Sequence, residues 1–163
     1  MADALTPVAI PELLAAVEPE LNWTFEQSIA GLETATPVQG WLRLRLEGPL
    51  LRVEGEASTS VELRCDRCLQ TYLQPLMVRA SERIGLGTTS DDLDEALAFD
   101  AEGISEQLDP QGSFDPAQWI YEQLNLQLPL VNRCGRQCPG PASWGNNEPL
   151  DDPRWAALRG LRP

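Results

Sequence analysis

Cys65 and Cys68 in "VELRCDRCLQ", with Cys134 and Cys138 in "NRCGRQCPGP", are the residues of this chain best suited to chemistry. They form a CxxC pair, 65 intervening residues and a CxxxC pair, and the chain has no histidine to share a metal with them. Two close thiol pairs supply four soft anionic ligands, the donor set of a closed tetrahedral zinc site that leaves no position for a catalytic water. The same spacing also serves unmetallated thiols or a redox pair, and the residues alone leave both open. Arg64, Arg67, Arg133 and Arg136 flank the cysteines. Their charge favours thiolates and offsets the net negative charge of a zinc tetrathiolate. It also makes a local basic patch, which predicts a weak contact with an RNA phosphate backbone.

Other chemistry is poorly provided for. Without histidine there is no Ser-His-Asp or Cys-His unit. "GLGTT" at residues 85–89 lacks the glycine spacing and the lysine of a phosphate loop. The acidic pairs have no apolar setting that would raise one carboxyl for acid/base work. The reading is therefore of a protein that is not an enzyme.

Charge narrows the partners. The 163 residues carry a net charge of −13, and all 12 basic side chains are arginine. A broad polybasic surface for nucleic acid or membrane is thereby excluded. Residues 1–90 hold 12 acids and 7 arginines, residues 91–130 hold 10 acids and no arginine, and residues 131–163 hold 3 acids and 5 arginines. The acidic run from Asp91, Asp92, Asp94 and Glu95 onward lacks the glycine of a calcium loop. It reads as a solvated segment or as a docking surface for a basic protein. "MADALTPVAIPELLAAVEPE" has no basic start and no long apolar run, and no stretch of the chain approaches a membrane span, so a cytoplasmic protein is expected.

The elements that must position the cysteines follow from periodicity. Leu42, Leu44 and Leu46 alternate with Trp41, Arg43 and Arg45, and Leu51, Val53, Gly55 and Ala57 alternate with Arg52, Glu54 and Glu56. Both are strands with one buried face, joined at Gly48-Pro49 as a hairpin. "SVELRC" continues the alternation as a third strand, and "TYLQPLMVRASERIGLG" returns as a fourth, with Pro75 confined to an edge, a start or a bulge. The first cysteine pair then lies at a strand turn, which aims two sulfurs at one point. A helix is predicted over 115–128, with Asp115 as cap, Pro116 at its first position, Gln118 completing a capping-box pattern, and Pro129 as its stop. Trp119, Ile120, Leu124 and Leu128 make its apolar stripe. A short second helix follows Asp152 and Pro153, with Trp155, Ala156, Leu158 and Leu161 on one face.

Three segments, "LRCDRCLQTYLQPL", "LQLPLVNRCGRQCPG" and "DPRWAALRGL", occur here in this order. Together they resemble the YceD family, the large ribosomal RNA subunit accumulation proteins. The resemblance spans most of residues 38–161 and implies a role in accumulation or processing of large-subunit rRNA, with ribosome assembly components as partners and no known catalytic reaction. The expected architecture is α+β and mainly β, an antiparallel meander or partly open barrel with one packing helix and a short C-terminal helix, tied by a four-cysteine zinc site. Residues 1–37 are set apart as an extension, 38–139 as the β-rich core, and 140–163 as a Pro/Gly linker with the last helix. The function expected is that of a non-enzymatic ribosome biogenesis factor, with a zinc- or thiol-based redox regulator as the rival.

Overall fold

A leucine at every second position between charged residues can bury its side chains only if the chain is extended. The computed structural model describes residues 3–87 and 104–141. In it the alternating tracts become β3 (Val38–Glu47) and β4 (Leu50–Arg64), joined by a tight turn in which Gly48 takes φ 61°. Their register pairs Leu42 with Gly55, Leu44 with Val53 and Leu46 with Leu51. Leu42, Leu44, Leu51 and Val53 are all fully buried. Arg43, Arg45 and Arg52 take the opposite face and meet Glu20, Glu47 and Glu54 at 2.9–4.0 Å. These pairs are half-exposed and worth about 0–1 kcal/mol each, so the leucine face holds the hairpin together. "SVELRC" does not form a separate third strand. The alternation runs unbroken from Leu50, and β4 is one strand of 15 residues.

β5 (Thr71–Leu86) returns antiparallel along the whole of β4, from Arg64 opposite Thr71 to Leu50 opposite Gly85. Pro75 faces Ser60 on a stretch where, among the described residues, β5 has a neighbour on one side only. Its missing N–H is therefore not called on by a second strand. The remaining neighbour departs from a pure meander: β6 (Ile104–Leu108) pairs with Arg83–Leu86 in the parallel sense. A parallel partner needs a crossover long enough to bring the chain back to the same end, and β6 begins well beyond the end of β5 in the chain, at Ile104 after Leu86.

The N-terminal segment belongs to the core, contrary to its treatment as an extension. β1 (Val8–Ala9) and α1 (Ile10–Ala15) lead into β2 (Glu20–Gln27), which pairs antiparallel with β3 from Glu20 opposite Arg45 to Gln27 opposite Val38. Ile10, Leu13 and Phe25 join the main apolar cluster. α1 has only six residues and no capping side chain, but Pro11 at its start and Glu12 in its first turn are helix-start signals, and the short helix followed by a strand is the order that "PELLAAVEPELNWTFEQS" suggests. Burial of Ile10 and Leu13 stabilises it. β1 pairs with β7 (Ser113–Phe114), which ties this segment to the entry of the second helix. The five strands in the order β2-β3-β4-β5-β6 form a curled half-barrel.

α2 (Pro116–Asn125) closes the core. Asp115 Oδ1 accepts from the backbone N–H groups of Ala117 at 2.9 Å and Gln118 at 3.1 Å. Gln118 does not reach back to complete a capping box; its amide donates to Glu122 at 2.7 Å. Trp119, Ile120 and Leu124 face the sheet, as the stripe predicts, and Leu128 is partly buried against the same cluster. Gly55 leaves room for the indole, since a Cβ there would stand 3.1 Å from Trp119 Cζ3 and 3.0 Å from the Trp41 carbonyl. Glu82 on β5 accepts from Trp119 Nε1 at 2.7 Å and from the Gln123 amide at 2.9 Å, one bond to each carboxylate oxygen. The expected C-terminal helix and the acidic run at Asp91, Asp92, Asp94 and Glu95 lie outside the described residues.

Candidate metal centre

The first cysteine pair is built by the turn between β4 and β5. Alternation carries Val61, Leu63 and Cys65 to the core side, and Cys65 is fully buried. Cys65 N–H donates to the Gln70 carbonyl and Leu69 N–H donates to the Cys65 carbonyl, both at 2.9 Å, which winds the chain tightly around Cys68. Leu69 takes φ 63°, a left-handed conformation that costs a side chain with a Cβ about 1–2 kcal/mol. Arg64 Nε holds it there by donating to the Leu69 carbonyl at 3.0 Å.

The second pair reaches the first through a clasp that the sequence did not signal. Asp66 N–H donates to the Asn132 carbonyl at 2.9 Å, and Asn132 N–H donates back to the Asp66 carboxylate at 2.7 Å. Two residues later Cys134 begins its own turn, in which Gly135 takes φ 109° and Cys138 N–H donates to the Gly135 carbonyl at 3.3 Å. Cys68 and Cys134 Sγ come to 3.6 Å and Cys65 and Cys138 Sγ to 4.0 Å, and all four sulfurs lie within 4.8 Å of one another. A disulfide would need about 2.05 Å. Four sulfurs at about 2.3 Å from one ion would stand roughly 3.8 Å apart, so the cluster fits a single tetrahedrally bound metal.

Electrostatics divides the four thiols. Backbone N–H groups of Cys68, Cys134 and Arg67 point at Cys65 and lower its pKa to about 6, against the opposing effect of burial. Burial and the surrounding sulfurs raise Cys134 to about 12. At Cys68 the Gln70 N–H favours the thiolate, but burial and the Cys65 side chain outweigh it and the pKa rises. The thiolate at Cys65 is thus favoured by the backbone, where the sequence reading assigned that effect to arginine charge. Since Cys68 and Cys134 are both raised above 9.0 in the metal-free centre, loading zinc at pH 7.5 is expected to release at least two protons per ion. Titration calorimetry in two buffers of different ionisation enthalpy measures that number, and release of none would exclude thiolate ligation.

The four arginines are all exposed and divide into two roles. Arg64 is committed to the Leu69 carbonyl. Among the described residues Arg67, Arg133 and Arg136 make no ion pair. Arg67 and Arg133 share a cleft of about 390 Å³ with Asp66, Val131 and Pro141 beside the cysteines, and Arg136 is not part of its lining.

Both cysteine pairs, the turn that joins β4 to β5, and α2 fall within residues 53–162, the region matched by the family model described as large ribosomal RNA subunit accumulation protein YceD. The chain belongs to the YceD family. The match starts inside β4, so all four clustered cysteines of this YceD chain lie among the matched residues, whereas β1, α1, β2 and β3 lie before it. No curated protein and no solved structure matches the chain. Among the described residues no helix is long and apolar enough to cross a membrane.

Proposed function

We propose that this YceD protein is a non-enzymatic factor in the biogenesis of the large ribosomal subunit, acting in the cytoplasm on accumulation or processing of its rRNA. The observation that carries the reading is the family match over residues 53–162. Zinc held by Cys65, Cys68, Cys134 and Cys138 is the structural tie of that factor, supported by four sulfurs within 4.8 Å of one another. The tie joins the β4-β5 turn to the chain after α2. It presents Arg67 and Arg133 on one cleft and Arg136 nearby in sequence, a small cationic patch suited to a few RNA phosphates. Binding of the isolated protein to rRNA is correspondingly weak and lost steeply with salt. The acidic segment containing Asp91, Asp92, Asp94 and Glu95 docks a basic ribosomal protein or another assembly factor, because ten acids without a base across residues 91–130 steer cations and repel RNA.

The test is made in cells whose only copy has those four acids changed to Asn and Gln. Large-subunit rRNA is expected to fall, and recovery of assembly components with the tagged protein is expected to drop most at low salt, where long-range attraction is strongest. Normal rRNA with unchanged partners would remove the docking role. A redox regulator, by contrast, would form a fast and reversible disulfide between Cys65 and Cys68 under mild peroxide with zinc bound.

A further inference from the structure

The outer face of the sheet carries a cleft of about 470 Å³ across β2, β3 and β4. It lies well away from the metal centre: Ala57 in its lining precedes Cys65 by eight residues along an extended chain, roughly 26 Å at the strand rise. β3 and β4 approach so closely at Gly40 that a Cβ there would collide with the Glu56 carbonyl, so that part of the lining is bare backbone. Trp41, Glu56 and Glu26 stand around it. Trp41 is 37% exposed, a large aromatic ring on the wet face of the sheet.

Register sets these three side chains against one another. Trp41 is opposite Glu56 on β4 and opposite Thr24 on β2, and Glu26 is two residues beyond Thr24 on the same face. Direct cross-strand neighbours are about 5 Å apart and diagonal ones about 7–8 Å, so both carboxylates reach a group placed over the indole. Elsewhere on the sheet Glu20, Glu47 and Glu54 meet arginines, and Glu82 accepts from Trp119 and Gln123. Glu26 and Glu56 have no such partner among the described residues, although Arg79 is opposite Glu56 in register.

We propose that this cleft receives an arginine or lysine side chain of a basic protein partner, held over the face of Trp41 between Glu26 and Glu56. The negative face of the indole attracts a cation, and the two carboxylates complete its pairing. Arginine fits better than lysine, because a planar guanidinium stacks on the ring while forking to carboxylates. The same carboxylates repel phosphate, which turns nucleic acid away from this face and leaves it to the arginines beside the cysteines. The inference rests on the reading that the partner is a basic protein. The rRNA phenotype tests that reading separately.

The experiment titrates the full zinc-loaded chain with an amidated tetra-arginine peptide and follows the five tryptophan indole N–H signals by NMR, with Trp41→Phe identifying one of them. The Trp41 signal is expected to move on titration and to move equally when Asp91, Asp92, Asp94 and Glu95 are neutralised. Glu26→Gln with Glu56→Gln is expected to weaken the binding read at Trp41 about tenfold, since it removes two pairings and leaves the ring. Glu26 is exposed and Glu56 half-buried, and the isosteric change to Gln at each leaves the packing untouched, so the double variant keeps the fold. An unmoved Trp41 signal, unchanged affinity in the double variant, or loss of the shift with the neutralised segment would each overturn the site. A larger Trp41 response to tetrauridylate than to the peptide would assign the ring to base stacking and overturn it as well.

Discussion

Cys65→Ser is expected to empty the metal centre and to lower the free energy of unfolding by about 4 kcal/mol or more. A structural tetrathiolate zinc site is filled only in the folded chain, so its binding free energy is folding free energy. Cys65 is the fully buried member of the cluster, and its backbone N–H is already committed to the Gln70 carbonyl, so the serine hydroxyl replaces a ligand inside an otherwise intact turn. Metal analysis of protein purified under reducing conditions should give about one zinc per chain for the parent and none for the variant. Urea denaturation should show the parent falling to the variant's midpoint when a strong chelator is added, with no further change in the variant. A variant that keeps the parent's zinc content and midpoint would remove the metal centre from the account.

Glu82→Ala is expected to cost about 3 kcal/mol, although the residue touches neither the cysteines nor the cleft. Its carboxylate accepts from Trp119 Nε1 and from the Gln123 amide, and both donors belong to buried side chains. Truncation leaves two buried donors without partners, and each unmade bond of this kind costs about 1–3 kcal/mol. Glu82→Gln should recover more than half of the loss: its carbonyl oxygen still serves Trp119, and the Gln123 amide turns to present its own oxygen. Urea unfolding followed by tryptophan fluorescence gives both values. Equal stability of the alanine variant and the parent would mean that α2 is held by its apolar stripe alone. Because Cys134 follows the end of α2 by nine residues, loosening the helix is expected also to raise the zinc dissociation constant.

The candidate site residues and those that place them differ in how well they can be read. Cys65, Cys68, Cys134 and Cys138 stand out by type and spacing, and the β3-β4 hairpin by its alternation and its Gly48-Pro49 turn, because these signals repeat over a few neighbouring positions. Asp66, Asn132 and Leu69 carry no such signal. A single Asp and a single Asn 66 residues apart become a clasp only when two turns are brought together, and a leucine at φ 63° looks like any other leucine in the chain. Glu82 reads as one more charged residue on a strand, and its task depends on a helix more than 30 residues later. Trp41 alternates correctly as an outward residue, but whether it stands alone or between two carboxylates depends on cross-strand register.

Local pattern and composition were enough to single out the four cysteines, the absence of histidine and lysine, the extended hairpin, the capped helix and the family. Tertiary structure decided that residues 8–27 belong to the core, that β4 is one long strand, that β6 joins in parallel, and that the two cysteine turns meet. Those outcomes depend on which surfaces find each other. A six-residue helix or a two-residue strand is stable only through the apolar partners it buries against, and no local rule names a partner that lies tens of residues away.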